Sequence, residues 1–262
     1  MANTKVSSNK LQDKVAIITG GASGIGEATA LLFAQNGARA VVIADVQDQK
    51  GQQLVESIGS HRSTYIHCDV TDENQLKSTI EATVHKYSQI DVMFCNAGIL
   101  NACSQDVMDF DMAAYEKLFA VNVGGVAASV KHAARAMVEG GVKGSIICTA
   151  SIAARNGANR AVDYVMSKCA VLGLMKSASM QLGKYGIRVN SVSPGPVGTP
   201  LLCEVFGMGK EEVEKVFESK YWLEGVMKVE HVADAVLFLA CDDSVFVTGH
   251  DLAVDGGFKF DY

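Results

Sequence analysis

The chain has 262 residues, a formal net charge of −6 and an apolar fraction of 48%. This length favours one large α/β domain, and no Pro-rich or Gly/Ser-rich linker interrupts the chain. The acidic balance argues against a nucleic-acid surface, because phosphate binding requires clustered Lys and Arg. The seven cysteines include no Cys-x-x-Cys pair, which predicts reduced thiols and no zinc site. A polar N-terminus and the lack of an apolar run of about 18 residues predict a soluble cytoplasmic protein outside the membrane.

The first predicted elements are a strand, a glycine turn and a helix. Residues 14–19 form a β-branched apolar run, residues 20–26 hold the glycines, and residues 27–36 show helical spacing. Glycine lets the backbone approach a pyrophosphate, whose charge is attracted by the amides at a helix N-terminus. This order is typical of a dinucleotide-binding unit. The spacing Gly20, Gly24, Gly26 departs from Gly-x-Gly-x-x-Gly, so a simple tight turn is the alternative.

The second predicted strand, residues 40–45, ends on a carboxylate. Asp45 follows Gly26 by nineteen residues, where an acidic side chain is expected to accept hydrogen bonds from the adenosine ribose. It would also repel a 2′-phosphate, and no Arg or Lys lies in the glycine turn or directly after Asp45. NAD is therefore preferred to NADP. As an alternative, Asp45 caps the next helix, residues 49–58, and the two roles are compatible.

The rest of the chain alternates strands with helices. The further predicted strands are 63–68, 90–95, 144–150, 188–193 and 251–255, and the further helices are 75–87, 113–138, 161–183 and 230–241. This alternation predicts one α/β domain over residues 1–262, with a Rossmann-type doubly wound parallel sheet of about seven strands and helices on both faces. Residues 196–225 break the alternation. Helical spacing in 210–220 predicts a substrate lid with an apolar underside, and an ordinary packed helix is equally favoured.

Three side chains within residues 151–168 are able to move a proton off an alcohol. Tyr164 and Lys168 lie four residues apart, on one face of a predicted helix. A neighbouring ammonium lowers the pKa of a phenol, so Lys168 would make Tyr164 a better base. Ser151 ends a predicted strand and could hold the same substrate oxygen. Alone, a Tyr four residues before a Lys is usually an ordinary helix pair.

Two other stretches carry polar or rigid residues. Asn122 lies in the apolar run 119–126, and a buried Asn must be hydrogen-bonded, so the residues alone slightly favour a structural role over a polar relay. Residues 194–200 hold three prolines and two glycines, which predicts a rigid loop able to approach a nicotinamide ring. The six histidines lie in no metal-ligand spacing, so no metal site is expected.

Together these motifs resemble the short-chain dehydrogenase/reductase family over nearly the whole chain. The motifs are residues 19–26, Asp69-Val70, Asn96-Ala97-Gly98, Asn122, Ser151, Tyr164 with Lys168, Pro194-Gly195 with Thr199, and Asp255-Gly256-Gly257. The resemblance implies that Tyr164 is the acid/base and that Ser151 orients the substrate oxygen. It implies that Lys168 binds the nicotinamide ribose and lowers the Tyr164 pKa. Asn122 would hold a water that links Lys168 to solvent, which replaces the structural role favoured above.

The resemblance also implies a set of cofactor contacts. Asp69 and Val70 would contact the adenine, residues 96–98 the adenosine-side backbone, and Val197 and Thr199 the carboxamide. The complete expected set is Gly20, Ser23, Gly24, Ile25, Gly26, Asp45, Val46, Asp69, Val70, Asn96, Ala97, Gly98, Tyr164, Lys168, Pro194, Gly195, Val197 and Thr199. Cys95 departs from the family, in which many members have a second Asn, and this should alter packing more than chemistry.

Within the family, the chain is similar to plant NAD-dependent dehydrogenases of specialised metabolism. This implies oxidation of a hydrophobic secondary alcohol to its ketone, with a cyclic monoterpenol such as borneol, giving camphor, favoured over another terpenoid, a lignan or a steroid alcohol. The expected pocket consists of Ile99, Leu100, Ile152, Ala153, Ala154 and the apolar side of 201–223. Family members are commonly tetramers, so a homotetramer is expected, through helices 113–138 and 161–183, whose many small residues permit close approach.

Two other classes of function compete with a dehydrogenase. A non-catalytic NAD-binding protein would be favoured by the loss of Tyr164 or Lys168, but both are present. A serine hydrolase would need a Gly-x-Ser-x-Gly turn, and residues 21–25 lack the closing glycine. The sequence therefore favours the alcohol dehydrogenase.

Overall fold

Seven parallel strands form the sheet at the centre of the protein, whose computed structural model describes residues 9–260. The strands are β1 Val15–Thr19, β2 Ala40–Asp45, β3 Ser63–His67, β4 Val92–Cys95, β5 Ser145–Thr149, β6 Arg188–Pro194 and β7 Asp251–Val254. Their order is β3-β2-β1-β4-β5-β6-β7, and each neighbouring pair is parallel. The predicted doubly wound sheet is confirmed.

Helices cover both faces of this sheet. They are α1 Gly24–Gln35, α2 Asp48–Ile58, α3 Glu73–Tyr87, α4 Met112–Phe119, α5 Val126–Glu139, α6 Ala153–Asn156, α7 Val162–Leu182, α8 Pro200–Phe206, α9 Lys210–Glu218 and α10 Val229–Ala240. Ala16 and Ile18 of β1 pack on the α1 and α10 side, whereas Ile17 packs on the α3, α5 and α7 side. Alternate residues of a strand point to opposite faces, so β1 is buried on both. Among residues 9–260, none of the helices has the length and apolar character needed to cross a bilayer.

The residues predicted as one helix over 113–138 are all helical, but the helix is not regular. The structure has α4, then a π-helix over Ala120–Gly125, then α5. Gly125 packs so tightly on Val70 that a Cβ there would lie 2.7 Å from Val70 Cγ2. Asn122, fully buried within the wide turn, bonds to the backbone of Ile99. Both contacts come from distant parts of the chain, which a local periodicity does not reveal.

Residues 196–225 form two helices where the sequence predicted one. The predicted helix 210–220 is α9, and α8 precedes it. Thr199 occupies the N-cap of α8, where its Oγ1 accepts from the Leu202 amide, and Pro200 follows in the first turn. Proline suits this position, because a first-turn N–H has no helical partner to lose. The rigid loop after β6 therefore leads directly into a helix.

The strand order reverses between β1 and β4. The chain runs outward from β1 to β2 and β3, and then returns to β4 on the other side of β1. In open parallel sheets, ligands bind beyond the carboxyl ends of the strands at such a switch point. The glycine turn after β1 and residues 96–98 after β4 meet there.

Candidate active site

The glycine turn between β1 and α1 is built for close backbone approach. Gly20 and Gly24 have φ of +61° and +56°, in the left-handed region that favours glycine. A Cβ on Gly20 would lie 2.8 Å from Ala97 Cα, and one on Gly26 would lie 2.1 Å from the Gly20 carbonyl oxygen. Ser23, at the N-cap of α1, makes no side-chain capping bond. The α1 N-terminus therefore offers amides and a hydroxyl to an anion.

Asn96 joins the ends of three strands. Its Nδ2 donates to the carbonyls of Thr19 and Gly20, at 3.2 and 3.1 Å, and its Oδ1 accepts from Thr149 Oγ1 at 3.2 Å. Thr19 Oγ1 in turn accepts from the Asn96 and Ala97 amides. Because the Asn96 side chain is committed to the turn, the predicted cofactor contact of residues 96–98 falls to their backbone.

Asp45 holds the glycine turn from the end of β2. The side chain is 5% exposed, and its Oδ2 accepts from the Ala22 amide at 2.9 Å while its Oδ1 accepts from the Gln47 amide at 3.0 Å. Gln47, not Asp45, occupies the N-cap of α2, so the helix-capping alternative is wrong. A carboxylate oxygen can accept more than one hydrogen bond, and Asp45 also lines a large cavity at the strand ends.

This cavity, of about 1170 Å³, lies along the carboxyl ends of the strands. Every predicted cofactor-binding residue lines it except Gly26, which is packed under the turn. Thr199, after β6, closes the cavity over Gly24, where a Cβ would lie 3.3 Å from Thr199 Cγ2. A glycine cradle, an open helix N-terminus and a buried carboxylate at one end are the features that a dinucleotide requires. The residues present therefore fit such a cofactor.

Tyr164 and Ser151 come together on the cavity wall. Part of Tyr164 faces the cavity, and burial of the rest raises the pKa of its hydroxyl to about 12. A hydrogen bond with Ser151 lowers this pKa in part, as expected where the serine donates to the phenolic oxygen. Ser151 Oγ itself accepts from the Ala153 amide at 3.1 Å. Because this bond uses only the oxygen, the hydroxyl hydrogen of Ser151 can be donated to Tyr164 or to a substrate oxygen.

Lys168 is buried one helical turn after Tyr164. Its Nζ donates to the Thr149 carbonyl at 2.8 Å and lies 5.4 Å from the centre of the Tyr164 ring. Burial lowers the pKa of Lys168 to about 8. The expected lowering of the Tyr164 pKa by Lys168 is not found in the protein alone, because burial dominates and Ser151 supplies the opposing effect. Tyr164 is therefore a neutral phenol at neutral pH.

Asn122 lies beneath this wall and not in the cavity. Its Oδ1 accepts from the Ile99 amide at 2.8 Å, and its Nδ2 donates to the Ile99 carbonyl and to Ser167 Oγ. These bonds give the side chain the structural role that the residues alone favoured. Asn122 Oδ1 keeps a second acceptor position, so the water relay that the resemblance implies stays a prediction. Gly98 lies beside both Asn122 and Lys168: an added Cβ on Gly98 would lie 3.4 Å from Asn122 Oδ1 and 3.6 Å from Lys168 Nζ.

The other end of the cavity is lined mainly by apolar side chains. Ile99, Leu100, Ile152 and Ala153 line it as predicted, but Ala154 does not, since α6 turns it away. The apolar lining also includes Leu201, Leu202, Val205, Phe206, Phe217, Phe258 and Phe260. Sequence reasoning missed the last two phenylalanines. Their signal was the alternation of Phe258 and Phe260 directly after two glycines near the C-terminus.

Comparison with known proteins decides the family. Residues 20–259 match the family described as enoyl-(acyl carrier protein) reductase. The chain is 55% identical to a mitochondrial (−)-isopiperitenol/(−)-carveol dehydrogenase of Mentha piperita, over 95% of each chain. The chain belongs to the short-chain dehydrogenase/reductase family. It is also 54% identical to a (+)-cis,cis-nepetalactol synthase of Nepeta racemosa, over 98% of this chain and 96% of that protein.

The structural comparison agrees with this assignment. A crystal structure of a short-chain type dehydrogenase/reductase from Mycobacterium marinum superposes with a TM-score of 0.88 and 32% identity, covering 98% of this chain and 99% of that one. Members of this family of oxidoreductases generally bind NAD or NADP. The cavity along the strand ends is accordingly the place for a nicotinamide dinucleotide.

Proposed function

We propose that the protein is an NAD-dependent alcohol dehydrogenase that oxidises a cyclic monoterpenol to its ketone. One observation carries this proposal: Ser151, Tyr164 and Lys168 line the cavity together, where the part suited to a dinucleotide meets an apolar wall. The likeness to a carveol dehydrogenase supports the substrate class. Borneol is the proposed member of that class, and another terpenoid, a lignan or a steroid alcohol is the alternative.

Each residue of the site has a distinct task in this reaction. A bound nicotinamide would supply the acceptor for the hydride that leaves the carbinol carbon. Ser151, with its oxygen fixed by the Ala153 amide, donates to the substrate oxygen and orients it. Tyr164, in its phenolate form, takes the hydroxyl proton. Lys168, anchored by the Thr149 carbonyl, holds the nicotinamide ribose with its remaining donors.

The rate of alcohol oxidation should rise with pH. The pKa of Tyr164, raised to about 12, lies above the whole working range, so the phenolate fraction grows about tenfold for each pH unit. Alcohol oxidation also releases a proton, and ketone reduction consumes one. We therefore expect oxidation to accelerate between roughly pH 7 and 9, whereas reduction, which uses the neutral phenol, should stay nearly constant. Initial rates in both directions, followed by NADH absorbance, measure this, and an oxidation rate that falls with pH would contradict it.

The substrate class has its own direct test. An unpaired buried polar group costs on the order of 1–3 kcal/mol, and the apolar wall offers few partners for the groups of a polar substrate. The catalytic efficiency should thus be highest for borneol and carveol and lowest for a sugar alcohol and a hydroxy acid. A preference for either polar substrate would defeat the proposal. Enantioselectivity should be modest, because one methyl group in an apolar pocket is worth only about 1–3 kcal/mol.

The cofactor preference depends on Asp45. Its carboxylate would accept from the ribose hydroxyls and repel a 2′-phosphate, so the wild-type protein should use NAD with greater catalytic efficiency than NADP. Asp45→Ala should erode that preference by about 10- to 100-fold, the worth of hydrogen bonds to a charged group.

A matched variant separates the effect of the Asp45 charge from the role of Asp45 in holding the backbone. Asp45→Asn keeps a side-chain oxygen for one of the two backbone amides that Asp45 holds, but removes the charge. It should therefore lose much of the NAD preference while its melting temperature falls less than that of Asp45→Ala, which holds neither amide. Equal catalytic efficiency of the wild-type protein on the two cofactors would show that Asp45 has no such role.

A further inference from the structure

A fully buried carboxylate lies directly beside the proposed acid/base. Asp163 is 0% exposed and occupies the first turn of α7, one residue before Tyr164. Its Oδ1 accepts from the Tyr164 amide at 2.7 Å, and its Oδ2 accepts from Asn101 Nδ2 at 2.5 Å. Asp163 therefore serves as an acceptor for the Asn101 amide.

The Asn101 side chain has one allowed orientation. Its Nδ2 donates to Asp163 Oδ2 and, at 3.3 Å, to the Ala114 carbonyl. Turning the amide by 180° would place Oδ1 against a carboxylate oxygen and a carbonyl oxygen, three acceptors with no hydrogen among them. The two bonds thus fix which end of the amide is a donor and which is an acceptor.

The segment that carries Asn101 is tied to the start of α7 by further bonds. The Gln105 amide donates to the Arg160 carbonyl at 3.0 Å, and the Val162 amide donates to the Gln105 carbonyl. Arg160 Nε also donates to Ser104 Oγ, which in turn donates to Asp106. These bonds hold Asn101 at a fixed place in the wall of the cavity, close in the chain to Ile99 and Leu100.

Asn101 Oδ1 remains as an oriented acceptor on this wall. No donor of residues 9–260 reaches it, and it is not among the buried polar atoms without a partner, so it is open to the cavity or to solvent. We propose that Asn101 Oδ1 accepts a hydrogen bond from a second hydroxyl of the substrate, with Asp163 as its positioning residue. Between two cyclic terpenoid alcohols of similar size, the one with a further donor within reach of Asn101 is then the better substrate. This inference rests on the proposed function.

A series of 3- and 4-substituted cyclohexanols tests the proposal. The substituent is a methyl, a methoxy or a hydroxyl group. The methyl group presents no polar atom, the methoxy group presents an acceptor, and the hydroxyl group presents both a donor and an acceptor. Asn101→Leu should lower the catalytic efficiency for the hydroxyl compounds relative to the methoxy compounds by about three- to tenfold, the worth of one neutral hydrogen bond. Asn159→Leu is the matched control, since Asn159 lines the same cavity without contacting a buried carboxylate, and it should leave this ratio unchanged.

Asp163→Asn gives the sharper result. The new amide keeps its oxygen on the Tyr164 backbone N–H and turns its NH₂ toward Asn101. This favours rotation of the Asn101 amide, which then presents its own NH₂ to the cavity, and only the longer contact with the Ala114 carbonyl opposes the rotation. The preference should then invert, from hydroxyl to methoxy compounds. This variant also decides the matter if Asn101→Leu fails to fold.

The outcomes separate the two proposals. A wild-type protein that oxidises none of these alcohols with NAD, and no monoterpenol either, overturns the proposed function and this inference with it. A protein that oxidises them with the same hydroxyl-to-methoxy ratio in the wild type, Asn101→Leu and Asp163→Asn overturns the inference alone. A reduced ratio in the first variant and an inverted ratio in the second support it.

Discussion

Tyr164→Phe is expected to lower turnover by at least about a hundredfold, the usual cost of losing a general base. The substitution keeps the ring and its packing but removes the oxygen that takes the proton. Because the ring stays in place, NAD affinity, measured by calorimetry, should remain within a few-fold of the wild type. Turnover and affinity therefore change separately, as they should for a group that acts on the substrate proton.

Tyr185→Phe is the control for Tyr164→Phe. Tyr185→Phe removes a hydroxyl from a tyrosine that is 45% exposed, beyond the end of α7, and it should leave turnover unchanged. Near-native turnover in a correctly folded Tyr164→Phe protein would show that another group takes the proton. Residual activity after the substitution would come from Ser151 and from binding alone.

Gly26→Ala is expected to destroy the cofactor site and to destabilise the fold. The new Cβ would lie 2.1 Å from the Gly20 carbonyl oxygen and 2.9 Å from Asn96 Nδ2. The glycine turn must shift to relieve this overlap, which costs about 1–3 kcal/mol of unfolding free energy in a well-packed site. The same shift moves the amides that would bind the pyrophosphate, so NAD affinity should fall strongly as well. Thermal denaturation and calorimetry measure the two effects.

The matched control is a glycine whose Cβ would meet nothing. At Gly183, at the end of α7, no atom lies within 4 Å of an added Cβ, and its φ of −55° suits alanine. Gly183→Ala should therefore keep native affinity and be neutral or stabilising, by up to about 1 kcal/mol. A Gly26→Ala protein that matches Gly183→Ala in melting temperature and NAD affinity would refute the tight packing of the glycine turn.

Local patterns in the sequence predicted most of the fold. β2 begins and ends at the predicted residues, and the glycine turn after β1 was found because turn chemistry depends on neighbouring residues only. The π-helix was missed, since Asn122 and Gly125 are placed there by contacts with Ile99 and Val70. A helical period continues across both sides of the wide turn and hides it.

The candidate site shows the same division between local and distant causes. The spacing of Tyr164 and Lys168 placed them on one helix face, but burial, which the spacing does not contain, raises the pKa of Tyr164 and lowers that of Lys168. Asn101 escaped notice because its partner Asp163 lies sixty-two residues further along the chain. Only the tertiary structure, in which the loop after β4 contacts the start of α7, brings these two residues together.

The bonds of Asn96 have a consequence for how the protein folds. They join Thr19, Gly20 and Thr149, which belong to strands 130 residues apart in the chain. The glycine turn is therefore not held in its cofactor-binding shape until β1, β4 and β5 have paired. A chain in which these strands are unpaired lacks the shaped glycine turn, so the free energy of dinucleotide binding should stabilise the assembled sheet against forms in which β1, β4 and β5 are apart. Saturating cofactor should thus slow proteolysis on both sides of β4 alike.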